Sequence, residues 1–104
     1  MSKGTEERKV DTMTTVRKFA DHPHAQATIV THDDGSQTLI SYTTPVVIID
    51  SEGWLHVTGL YSMTTIKHIG WFMRELGLTY QLAKQLCNDQ KEFNIYTGEV
   101  IDCE

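Results

Sequence analysis

Between Tyr61 and Gly77 the chain reads YSMTTIKHIGWFMRELG, and Ser62, Thr64, Thr65 and His68 crowd its first half. If a helix starts here, Ser62 or Thr64 is a natural N-cap. Its hydroxyl oxygen would accept one of the N–H groups that the first turn leaves without a partner. The same helix start carries a partial positive charge and free N–H groups. Hydroxyls of Ser62, Thr64 and Thr65 would then surround a phosphate or carboxylate, with His68, one turn beyond Thr64, donating a further hydrogen bond. A third chemistry is nucleophilic, with Ser62 activated by His68 and an acid such as Asp50. Against it, no Gly-x-Ser-x-Gly elbow is present, and a serine and histidine on one strand-to-helix path have poorly controlled approach. An enzyme is not expected.

The other reactive side chains lack a pattern. His22 and His24 form HPH, and His32, Asp33 and Asp34 follow, but no recognised zinc spacing joins them. Cys87 and Cys103 have neither zinc-finger nor CxxC spacing. Cys87 lies on an apolar helical stripe, where a thiol behaves as a small core residue. No Gly-rich phosphate loop or dinucleotide fingerprint occurs. Neither a metal nor a cofactor is expected. Aromatic residues remain: Trp54, Tyr61 and Trp71 exceed what so small a core readily absorbs, and Tyr and Trp are favoured interface anchors. Trp71 stands off the centre of its helical stripe, at the core margin.

These residues need a scaffold, and hydropathy patterning supplies one. Residues 1–12 are polar apart from Val10 and read as a flexible tail; residues 13–104 read as a single domain. Met13, Val16, Phe19 and Ala20 are spaced for a short helix that Pro23 would stop. QATIVTH and QTLISYTT read as strands joined through a turn at Asp34-Gly35. PVVIID continues the second run, with Pro45 marking a bend, bulge or edge. Asp50 to Gly53 makes a type I turn, and WLHVTGL follows as a strand with Leu55 and Val57 on one face. Ile66, Ile69, Met73 and Leu76, with Phe72 beside them, form a helical core stripe that Gly77 ends. Thr79 caps a second helix with Leu82, Ala83, Leu86 and Cys87 inward. The C-terminal segment reads as two short strands about Thr97-Gly98, with Phe93, Ile95, Val100 and Ile101 available to the core.

The totals bound the functional classes. The 104 residues suffice for one core without staples. Formal charge is −5, and it is uneven: residues 1–21 hold five Lys/Arg against four acids, whereas residues 22–104 hold four against ten. An acidic body repels phosphate backbones, so direct nucleic-acid binding is disfavoured. No apolar run approaches a membrane span. Free thiols and no secretory segment at the start fit a cytoplasmic protein.

SYTTPV at 41–46 followed by YSMTTIKHI at 61–69 resembles a small uncharacterised family of phage, bacterial and haloarchaeal proteins. That family carries a Ser-Tyr-x-Thr-x-Val segment and then Ser-x-Thr-Thr-x-x-His-Ile. The resemblance spans roughly residues 38–73 and falls on Ser41, Tyr42, Thr44, Val46, Ser62, Thr64, Thr65, His68 and Ile69. It implies a phage or mobile-element source, hence a host cytoplasm, and no activity. The expectation is an α+β domain: an antiparallel β-meander packed against one or two helices, with a short C-terminal hairpin. It would act as an acidic, non-enzymatic binding module that engages a host protein, its candidate binding residues being Tyr42, Tyr61, Ser62, Thr64, Thr65, His68 and Trp71. The alternative is a small-anion or nucleotide-binding protein using the Ser62–His68 helix start. An exposed strand or a Trp71 patch would support a homodimer.

Overall fold

Alternating burial along short strands builds one side of this molecule, and helical periodicity builds the other. The computed structural model describes residues 14–103; the tail expected at 1–12, and Met13, lie outside them. Five strands come first: β1 (Thr15–Arg17), β2 (Ala27–Thr31), β3 (Gln37–Ser41), β4 (Thr44–Ile49) and β5 (Trp54–Val57). Helices α1 (Met63–Glu75) and α2 (Tyr80–Asp89) follow, then β6 (Lys91–Asn94) and β7 (Val100–Asp102). All seven strands join one antiparallel sheet in chain order. The α+β meander is therefore present, and its C-terminal hairpin is the sheet's continuation.

Ala27, Ile29, Leu39, Val47, Ile49, Leu55 and Val57 point to the helix side, where Ile69, Phe72, Met73, Ala83 and Leu86 meet them, all buried. Burying each larger side chain contributes about 1.5–3 kcal/mol, so this layer is the main driving force. Pro45 does mark a bulge. Leu39 pairs with Val47 but Ile40 with Pro45, leaving Val46 as the extra residue on β4. The bulge turns both Val46 and Val47 into the core, which strict alternation forbids.

Local signals fix the ends of the elements. Gly35 (φ +91°) and Gly53 (φ +95°) close the β2–β3 and β4–β5 turns, and Asp50 Oδ1 accepts from the amides of Glu52 and Trp54. Ser62 caps α1 and Thr79 caps α2, each accepting from the amide three residues on. At the end of α1, Leu78 N donates to Met73 O and Gly77 N to Arg74 O, the paired closure that a left-handed glycine permits. Buried Asn94 ties two turns together: its Nδ2 donates to Glu52 O, and its Oδ1 accepts from Tyr96 N and Thr97 N.

Three expectations require correction. Of the helix expected from Met13 to Ala20, the described part, Thr14 to Ala20, is not helical, because Thr15–Arg17 pairs with Ile29–Thr31 as an edge strand. The open hydrogen-bonding edge of β2 outweighs a weak apolar spacing, and Val16 remains exposed. PVVIID does not continue the second strand: the chain reverses at Tyr42-Thr43, and Thr44–Ile49 runs back along β3. Val100 and Ile101 are 50% and 44% exposed, since β7 is the far edge of the sheet, beyond the helices. No helix among the described residues is long and apolar enough to cross a membrane.

Candidate functional site

A meander sorts its connections between two ends of the sheet. One end carries the turns at 32–36, 50–53 and 95–99, with Asp33, Asp34, Asp50, Glu52 and Glu99 and no Lys or Arg. The other carries the Tyr42-Thr43 turn and the Thr58–Ser62 passage into α1. The residues singled out by sequence converge on this second end, in two unlike groups.

One group is internal. The buried face of α1 is Thr65, His68, Ile69, Phe72 and Met73, which places two polar side chains against the sheet. Ser41, the last residue of β3, faces them. Its Oγ lies 3.1 Å from Thr65 Oγ1 and 2.8 Å from His68 Nδ1, and Ser62 Oγ donates to Thr65 Oγ1 at 3.2 Å. Donation running from Ser62 to Thr65, to Ser41, to His68 gives every hydroxyl one donor and one acceptor. It requires a neutral imidazole with Nδ1 accepting. Ser41 and His68 are 2% and 1% exposed. Their spacing would suit a nucleophile and its base, yet the pair is sealed in, and no carboxylate among the described residues hydrogen-bonds the ring.

Rings close the seal. Tyr42 is tilted against His68 at 6.0 Å between centroids, and Trp71 lies at 5.5 Å. His22 stacks on Trp71 at 3.6 Å with planes 8° apart, and Phe19 meets Trp71 edge-on. Trp71 is half-buried, at the core margin as its spacing indicates. With Phe19, His22 and Arg74 it lines a cleft of about 220 Å³, below the roughly 300–1,000 Å³ of ordinary ligand pockets.

Burial, and then the positive charge of Lys18, hold the His68 pKa below its usual 6.5. A folded pKa below the unfolded one means that the unfolded chain takes up this proton first as pH falls. His68 therefore subtracts stability once pH drops through its unfolded value, and costs nothing above it. In urea melts at about pH 7.5 and about pH 5, the native chain should lose more stability than His68→Asn. Equal losses would assign the pH dependence elsewhere.

The other group is external. Tyr42 is 57% exposed, Tyr61 63% and Met63 75%. Both tyrosines have positive φ, +57° and +34°, a region that bulky residues rarely occupy and that costs about 1–3 kcal/mol. In Tyr42 the cause is the two-residue reversal, whose first position ordinarily takes glycine. The Tyr61 ring lies over Gly59, where even a Cβ would approach its ring carbons to 2.7 Å. Its hydroxyl meets Thr58 Oγ1 at 3.0 Å, and Thr58 Oγ1 donates to Pro45 O at 2.8 Å. Thr64 is exposed beside them.

The sequence-selected residues thus divide. Ser62, Thr65 and His68 are joined in one network, with Trp71 packed on it; Tyr42 and Tyr61 border it from outside, and Thr64 makes none of its hydrogen bonds. Sequence reading gave Ser41 no role beyond its place in the resemblance. Its only signal is an inward position on β3, in register with Ala27.

The chain belongs to a family of unknown function, DUF8033, which matches residues 9–96. That span extends well beyond the 38–73 stretch carrying the resemblance noted above. No curated protein and no solved structure matches the chain.

Proposed function

We propose that this DUF8033 protein is a non-catalytic module that binds another protein through the rim formed by Tyr42, Tyr61 and Met63. The observation that carries the reading is the pair of exposed tyrosines held at positive φ, with their rings already placed by Gly59, Thr58 and His68. Fixing an aromatic side chain before binding removes an ordering cost of about 0.5–1.5 kcal/mol per residue. The turns themselves impose the positive φ, but a tyrosine where such positions favour glycine supports a use for the side chain. The sealed Ser41–Thr65–His68 network supports the same reading, because it holds the helix start and strand turn that present the two rings. The acidic opposite end disfavours nucleic acid as the partner. A phage or mobile-element source, which the resemblance implies, would make the partner a host protein.

The test compares affinity capture by the native chain and by the Tyr42→Ser/Tyr61→Ser variant, from lysate at low salt. The proposal expects a protein retained by the native chain and at least tenfold depleted with the variant, both being folded by circular dichroism at the temperature of capture. Equal retention by both would overturn it. The anion-binding alternative is read separately, by titrating ATP against tryptophan fluorescence.

A further inference from the structure

A second convergence lies at the same end of the sheet, apart from the tyrosine rim, and sequence spacing gives no hint of it. β5 and β6 pair Trp54 with Asn94 and Leu55 with Phe93, so the next step sets His56 opposite Glu92 on the face away from the helices. β6 and β7 pair Glu92 with Ile101, and Cys103 N donates to Gln90 O one step beyond Lys91–Asp102, keeping Cys103 on that same face. Three strands thus bring an imidazole, a carboxylate and a thiol together. His56 Nδ1 is 3.6 Å from Glu92 Oε2 and 3.5 Å from Cys103 Sγ, and the three ligand atoms lie within 4.8 Å of one another.

Hydrogen bonding accounts for little of this. The His56–Glu92 separation is beyond a good hydrogen bond, and a thiol is a weak partner. A tetrahedral zinc ion accounts for it better. Bonds of about 2.0–2.1 Å to nitrogen, 2.0–2.2 Å to carboxylate oxygen and 2.3 Å to sulfur place ligand atoms roughly 3.4–3.6 Å apart. The His56–Cys103 and His56–Glu92 separations fall close to those values, and the third edge lies within 4.8 Å. Mixed N, O and S donors suit Zn²⁺ and exclude Mg²⁺ and Ca²⁺, which take oxygen. Side-chain exposures of 40% for His56 and 30% for Glu92 leave an ion a path from solvent. Beside them, His56 and Cys103 line a cavity of about 340 Å³ with Cys87 and Gln90, at the junction of α2 and β6.

We propose that His56 Nδ1, the Glu92 carboxylate and the Cys103 thiolate form a Zn²⁺ site whose fourth position is open to solvent. The thiol gives its proton to solvent as the Zn–S bond forms, with no change of oxidation state. Cys87 lines the cavity without being a required ligand. The site stands whether or not the tyrosine rim binds a protein.

Cobalt(II) titration of the reduced full chain, followed by Zn²⁺ competition in calorimetry, tests the proposal. The expected result is one Co²⁺ per chain, with a thiolate charge-transfer band and the strong visible bands of a tetrahedral ion, both abolished by Zn²⁺. Cys103→Ser should remove the charge-transfer band, and His56→Ala should weaken Zn²⁺ binding at least tenfold. Cys87→Ser should preserve the band. All three positions are partly exposed, and circular dichroism checks that the variants fold. No saturable 1:1 band, a band unchanged in Cys103→Ser, or one lost in Cys87→Ser would each overturn the assignment.

Discussion

Replacing Ile69 with Asp leaves no folded domain at room temperature. Ile69 is wholly buried, at the centre of the face where α1 meets the sheet. Its neighbours there include Phe72 and Met73 on the helix, the apolar core offers no charge partner, and burial keeps nearby His68 neutral. A carboxylate in that layer must ionise unpaired, remain protonated at a cost, or expel the helix into water. Any of these, added to the lost apolar burial, costs more than about 4–5 kcal/mol. Domains of this size have about 5–15 kcal/mol in total. Circular dichroism on heating should show no cooperative transition for the variant. A melt like that of the native chain would contradict the packing of α1 on the meander.

Ser41→Ala is the second large effect, and a more specific one. The substitution removes one oxygen and leaves the Thr65 hydroxyl hydrogen without its acceptor and His68 Nδ1 without its donor, at a buried place, while Thr65 Oγ1 keeps its bond from Ser62. Each unsatisfied buried group costs about 1–3 kcal/mol, so with two of them urea melts should show a loss of about 2–6 kcal/mol. Removing the whole network by Ser41→Ala/Thr65→Val/His68→Leu should cost less than Ser41→Ala alone, because no polar group is then stranded. That inverted order is the signature of a closed network. A loss below about 0.5 kcal/mol for Ser41→Ala would mean that its partners find water or one another.

Much of the architecture was legible because its signals are local. Gly77, Ser62, Thr79 and the turns at Gly35 and Gly53 each act within four residues, and the alternation in WLHV needs only itself. What sequence did not reveal depends on residues far along the chain. The buried stripe lies about one position round the helix from the one that Ile66 and Leu76 mark; both are half-buried, while Thr65 and His68 lie beneath. Two polar side chains can occupy that face only because Ser41, 24 and 27 residues earlier, meets them there. The edge strand at Thr15–Arg17 is likewise created by the free edge of β2. Glu92 and His56, 36 residues apart, come together solely through strand register.

The central claim is that Thr65 and His68, at the start of α1, are turned inward and hydrogen-bonded through Ser41 rather than turned toward a ligand. Side-chain nitrogen NMR of His68 tests this most directly, followed from about pH 8 to about pH 5, with and without millimolar ATP. The account predicts a neutral ring with Nδ1 unprotonated, a titration midpoint below 6.5, and no response to the nucleotide. A midpoint at or above that value, or ring signals that move and saturate with ATP, would contradict it.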